Sequence, residues 1–203
     1  MKNYEKELPG GYTLNYHINA KDKKTGLVMN LWAFAIMLVV GAVGAIPLFV
    51  DKTLDFTLST PVLLISYVVF MLSMVVYIVL HELVHGAAYK LLTREKLTFG
   101  MSWSCAFCGV PNIYVYRRAA IIALVAPLIT FTLVLVPVSV LMYFAHPVYY
   151  ILSLVLLGMH LGGCVGDGYM TYLFLRVFKS KTTLVRDTGP EQYIYTKEVS
   201  DSE

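Results

Sequence analysis

The amino-acid sequence predicts an all-α membrane protein, a bundle of four transmembrane helices with a short cytoplasmic β-hairpin between helices two and three. Three observations carry this prediction. Of 203 residues, 58% are hydrophobic and only 14% charged, whereas soluble domains hold about a quarter charged residues. Four segments are long and free of charge. Lysine and arginine collect in alternate loops between those segments.

Taken in order, residues 1–26 form a polar N-terminal segment. The first span covers about 27–50, and Leu27 to Val50 gives 24 residues without an ionisable group. The second covers about 61–88 and opens with 20 uncharged residues, Pro61 to Leu80. The third covers about 119–145, uncharged throughout. The fourth, about 147–178, stays uncharged until Asp167. Roughly 20 apolar residues cross the hydrocarbon of a bilayer, and a buried helix of a soluble protein rarely stays uncharged that long. Between helices two and three, "KLTFGMSWSCAFCGVPNIYVYRR" alternates and is rich in β-formers around a Gly109–Asn112 turn, which predicts the hairpin. The tail, 179–203, is polar without a strong period and reads as mobile towards "KEVSDSE".

Orientation follows from the basic residues. Lys21, Lys23 and Lys24 precede helix one; Lys90, Arg94, Lys96, Arg117 and Arg118 lie between helices two and three. Arg176, Lys179, Lys181 and Arg186 follow helix four, and the opposite loops hold only Lys52 beside Asp51 and Asp55. The positive-inside rule then puts both termini in the cytoplasm. A net charge of +3 is too small to argue for nucleic acid. Cys105, Cys108 and Cys164 make no disulfide framework, and the single C-x-x-C of Cys105 and Cys108 reads as ordinary thiols. The first apolar run follows a long polar lead and exceeds the length of a signal-peptide core.

Within the oily second span, "YIVLHELVHGAAYK" places His81, Glu82 and His85 as H-E-x-x-H. Residues four apart share a helix face, so both imidazoles reach one metal ion, and Glu82 beside them is placed to take a proton from water. Buried ionisable groups are costly in a membrane and are rarely kept without a partner. A third protein ligand is needed. The candidates are Asp167, in "GGCVGDGYM", and His160. Lys90 lies nine residues after His81, and Arg176 nine after Asp167, so both groups sit at one depth, roughly 13 Å above the helix ends. His160 would stand roughly 24 Å up and reads as a polar residue bonded between helices. Asp167 is favoured. Gly158, Gly162, Gly163, Gly166 and Gly168 suit either close helix packing or a local unwinding near Asp167. Two imidazoles and a carboxylate suit zinc, and also iron, cobalt or manganese.

H-E-x-x-H, then "ALVAPLITF" on the next helix, then "GDG" on the last, resembles the site-2 protease class of intramembrane zinc metalloproteases. The short chain is most similar to a bacterial family of zincin membrane peptidases related to that class. The resemblance covers helices two to four. It implies that His81, His85 and Asp167 ligate Zn²⁺ and that Glu82 is the catalytic carboxylate. Pro127 then stands in the central helix, and Gly86 is the usual continuation of the motif. Ala126 replaces the usual Gly before the proline, and the Asn-Pro upstream of the Asp-Gly is absent. Proteolysis of a membrane protein or peptide, in a bacterial cell membrane, is implied by this resemblance; composition and spacing give a metal site in the bilayer. Two other readings fit that site: a non-catalytic scaffold, chaperone or sensor with a structural metal, and, more weakly, a metal transporter.

Overall fold

A computed structural model of the protein describes residues 2–101 and 106–197. Four stretches are helical, long and apolar enough to cross a membrane: Lys23–Val50, Thr60–Thr93, Arg117–Ala145 and Pro147–Arg176. The elements in order are β1 (Tyr4–Glu5), β2 (Tyr12–Asn19), α1 (Lys23–Val50), α2 (Thr60–Thr93), β3 (Thr98–Met101) and β4 (Ala106–Gly109). There follow β5 (Tyr114–Tyr116), α3 (Arg117–Ala145), α4 (Pro147–Gly163), α5 (Val165–Arg176), β6 (Leu184–Asp187) and β7 (Glu191–Lys197). The last helical stretch is therefore two helices, parted at Cys164.

The all-α expectation is overturned. Five strands form an antiparallel sheet in the order β1-β5-β6-β7-β2, and β3 and β4 form a second, two-stranded sheet. Four of the five come from the terminal segments that read as polar and aperiodic. The physical reason lies in their residues. β2 and β7 are rich in Tyr, Thr and Ile, which suit a half-buried pleated surface. Their ladder runs from Tyr12↔Lys197 to Asn19↔Glu191, nearly the length of the chain, so no local period announces it. Pairing places Val115 opposite Val185, and Val185 opposite Ile194. This row is buried against Ala119, Ala120 and Ala123 of α3 and Phe174 of α5. Such cross-strand apolar pairs are the unit of sheet stability.

The expected hairpin turn is also displaced. β3 pairs with β4 from Thr98↔Gly109 to Met101↔Ala106, so Gly109–Asn112 leads out of β4 towards β5 and does not join the hairpin. Cys105 and the final residues 198–203 lie outside the described residues.

The chain forms two compact units, residues 1–28, 81–127 and 166–203 in the first and 29–80 and 128–165 in the second. The first holds both sheets and the apolar cluster just described. The second is purely helical. There, Tyr150 donates to the Gly44 carbonyl at 2.7 Å, and α4 turns Gly158 and Gly162 towards Met37 and Ala33 of α1. A Cβ on Gly162 would come within 2.7 Å of the Ala33 carbonyl oxygen, closer than real contacts allow, so these two glycines serve close helix packing. Large apolar side chains such as Leu31, Trp32, Phe49, Leu64 and Leu133 are exposed on this unit. A surface of that composition suits lipid far better than water.

Candidate metal centre

The site lies wholly within the first unit and begins with an ordinary helical property. α2 continues without interruption to Thr93, where Arg94 turns left-handed at φ 61° and ends it. Residues 81 and 85 therefore present their rings from successive turns of one face. The ring centroids are 5.0 Å apart at an interplanar angle of 72°. Asp167 stands in the first turn of α5, where the helix N-terminus favours a carboxylate. Its Oδ2 lies 3.4 Å from His81 Nε2 and 3.3 Å from His85 Nε2. The three donor atoms all fall within 4.8 Å of one another.

The chemistry of this donor set fits a divalent cation. His85 Nδ1 lies 2.9 Å from the Ala123 carbonyl oxygen. A carbonyl only accepts, so Nδ1 carries the hydrogen, and the lone pair of the neutral ring sits on Nε2. That lone pair faces Asp167 Oδ2, an acceptor when ionised. Lone pairs converging from two histidines and a carboxylate are what a tetrahedral zinc site requires, with one position left open.

Glu82 comes next along the helix. The backbone amide of Cys108, on β4, approaches its carboxylate. Strand β4 thus borders the motif. Strand β3 does so too: a Cβ on Gly86 would meet Phe99 Cζ at 2.6 Å, so the glycine after the motif lets the β3–β4 sheet lie on the helix.

Of the other residues singled out by sequence, Pro127 is fully buried on α3, four residues beyond Ala123. His160 belongs to the second unit. The Tyr77 hydroxyl is 3.0 Å from its Nδ1 and the Thr132 hydroxyl 3.0 Å from its Nε2, the pattern of a polar residue bonded between helices. Cys108 is buried on β4. Burial, with Asp187 and Glu82 near, pushes its thiol up to about 12, which keeps it protonated.

Sequence reasoning missed one buried pair. One turn beyond His85, the Tyr89 hydroxyl donates to Asp187 Oδ2 at 2.7 Å, and the Gly189 amide donates to Oδ1 at 2.9 Å. The Asp187 carbonyl also accepts from the Val110 amide at 2.8 Å. The β6 strand is in this way tied to α2 and to the segment after β4. Only acidic residues inside apolar spans were candidates, and Asp187 lies outside them. Burial raises its carboxyl to about 6. The fold therefore favours the protonated form. That contribution is complete below an ordinary carboxyl pKa of about 4 and is lost as pH rises through about 6. Thermal unfolding should shift to lower temperature between about pH 4 and about pH 6, by at most about 3 kcal/mol of stability. Asp187→Asn should flatten that segment of the profile. An unaltered profile in the variant would remove Asp187 as the source.

H-E-x-x-H on one helix with a carboxylate from another is an arrangement that metallopeptidases use. The sequence model of one family, described as "Putative zincin peptidase", matches residues 74–182, just over half of the chain, and the chain belongs to that zincin peptidase family. The match contains His81, Glu82, His85, Pro127 and Asp167. No curated protein matches the chain, and no solved structure does.

Proposed function

We propose that the protein is a membrane-embedded zinc endopeptidase that hydrolyses peptide bonds of membrane or membrane-proximal proteins. One observation carries the reading: two imidazole nitrogens of α2 and a carboxylate of α5 converge within 4.8 Å, with a second carboxylate, Glu82, adjacent in sequence. His81, His85 and Asp167 would hold the ion. When bound, zinc supplies Lewis-acid chemistry, polarising a carbonyl and acidifying water. Glu82 accepts the proton of the attacking water on a carboxylate oxygen as hydroxide adds to the scissile carbonyl carbon. It then returns that proton to the leaving amine nitrogen as the C–N bond breaks. Ala123 holds His85 in the tautomer that leaves Nε2 available.

The basic loops support an orientation with both termini cytoplasmic, in the bacterial cell membrane, and a site about a third to a half of the way in from that face. A helical substrate hides its scissile carbonyls, so the substrate must be extended locally. The β3–β4 sheet beside Gly86 offers a strand edge on which it could be held. Metal analysis of the purified full chain should find one zinc per molecule. Chelation should abolish cleavage of a membrane-protein substrate, and added zinc should restore it. A folded, metal-free protein that cleaves at the same rate would overturn the reading.

A further inference from the structure

Inside an α-helix, each backbone N–H donates to the carbonyl four residues earlier. Residue 127 would therefore serve the carbonyl of Ala123. But residue 127 is proline, which has no N–H and whose ring crowds that carbonyl. Helix α3 runs from Arg117 to Ala145 across this position, and both Ala123 and Pro127 are fully buried. A buried carbonyl without a donor is costly. The donor that reaches the Ala123 carbonyl comes from another helix, His85 Nδ1, at 2.9 Å. The two needs meet, since the ring needs an acceptor and the carbonyl a donor.

We infer that Pro127 is a positioning residue for the metal centre. By withholding the helical N–H from Ala123, it reserves that carbonyl for His85, and so fixes the imidazole with hydrogen on Nδ1 and its lone pair on Nε2, facing Asp167 and His81. What Nε2 then holds rests on the zinc reading; the tautomer itself does not. Outer partners of this kind orient a ligand ring and raise its basicity, and their loss typically costs about 10–100-fold in metal affinity. A role as a mere helix kink would make the ring of Pro127 matter, whereas this role depends only on the missing N–H.

Two variants separate these roles in the full-length protein. Pro127→Ala returns an N–H that competes for the Ala123 carbonyl. Replacing residue 127 by the α-hydroxy acid counterpart of alanine, through nonsense suppression, gives an ester that lacks both ring and N–H. Zinc affinity is read by competition with a chromophoric chelator, and the His85 Nδ1–H by magnetic resonance of isotope-labelled histidine. Pro127→Ala should weaken zinc binding roughly 10–100-fold and lose the slowly exchanging Nδ1–H signal, while the ester variant keeps both. Wild-type zinc affinity together with a wild-type Nδ1–H in Pro127→Ala would overturn the inference. An ester variant as impaired as Pro127→Ala would do the same, because it would assign the effect to the ring. If the wild type itself binds no zinc, the zinc reading fails at the first titration, and the Nδ1–H comparison still decides the role of Pro127.

Discussion

Glu82→Gln is expected to reduce peptide cleavage by roughly 10²–10⁴-fold, the contribution of a positioned proton-transfer group, while zinc stays bound. The amide has nearly the size and shape of the carboxylate, so the packing against β4 survives. It cannot take the proton of the attacking water. The proposed zinc donors are the neighbouring His81, His85 and Asp167, whose atoms converge without Glu82. Loss of one negative charge beside them should weaken metal binding only modestly. The check is paired: cleavage rate on a membrane-protein substrate and zinc content of the same preparation. A variant that cuts at the wild-type rate excludes Glu82 as the base. One that loses its zinc along with its activity would instead make Glu82 part of the metal-holding set. The pairing also tells an enzyme from a scaffold, since in a scaffold only the loss of metal would matter.

Asp167→Ala is expected to empty the site and, with it, to abolish cleavage. The donor set has three members, and removing one leaves two imidazoles on a single face. The fall in zinc affinity should exceed the roughly 10–100-fold typical of outer-shell changes. The fold should persist. Asp167 is mostly buried, and deleting a buried carboxylate that holds two histidines relieves a desolvation cost even as it removes their partner. Thermal unfolding of the two metal-free proteins should therefore differ little, whereas zinc should stabilise only the wild type. Retention of one tightly bound zinc by Asp167→Ala would mean that the third ligand comes from elsewhere.

Much of this was legible in the sequence, for reasons that differ by residue. The apolar helices announce themselves because a span must avoid charge at every position, so the signal accumulates over some 20 residues. His81, Glu82 and His85 are legible because a helix turns their spacing into proximity. Asp167 stood out as an isolated charge in an apolar helix, and counting residues from Lys90 and Arg176 matched its depth to that of His81, which it approaches to 3.4 Å. The five-stranded sheet was hidden for the opposite reason. Its strands are two to eight residues long, and β2 finds its partner across almost the whole chain. Asp187 was hidden with it, because nothing local marks it as buried. The break at Cys164 left only a run of glycines as a hint. The Ala123 carbonyl is beyond any reading of side chains; only the missing hydrogen of Pro127 pointed there.

The order of strands sets a schedule for biosynthesis. β7 lies between β6 and β2, so the second strand waits for the seventh. Throughout the synthesis of all four apolar stretches, Tyr12–Asn19 stays on the nascent chain without its ladder, an open edge available for stray pairing. Asp187, the anchor beneath Tyr89 on the H-E-x-x-H helix, likewise arrives only after the helices are made. A ribosome halted before Glu191 would release every proposed zinc ligand and the base, yet leave the sheet beside them unclosed.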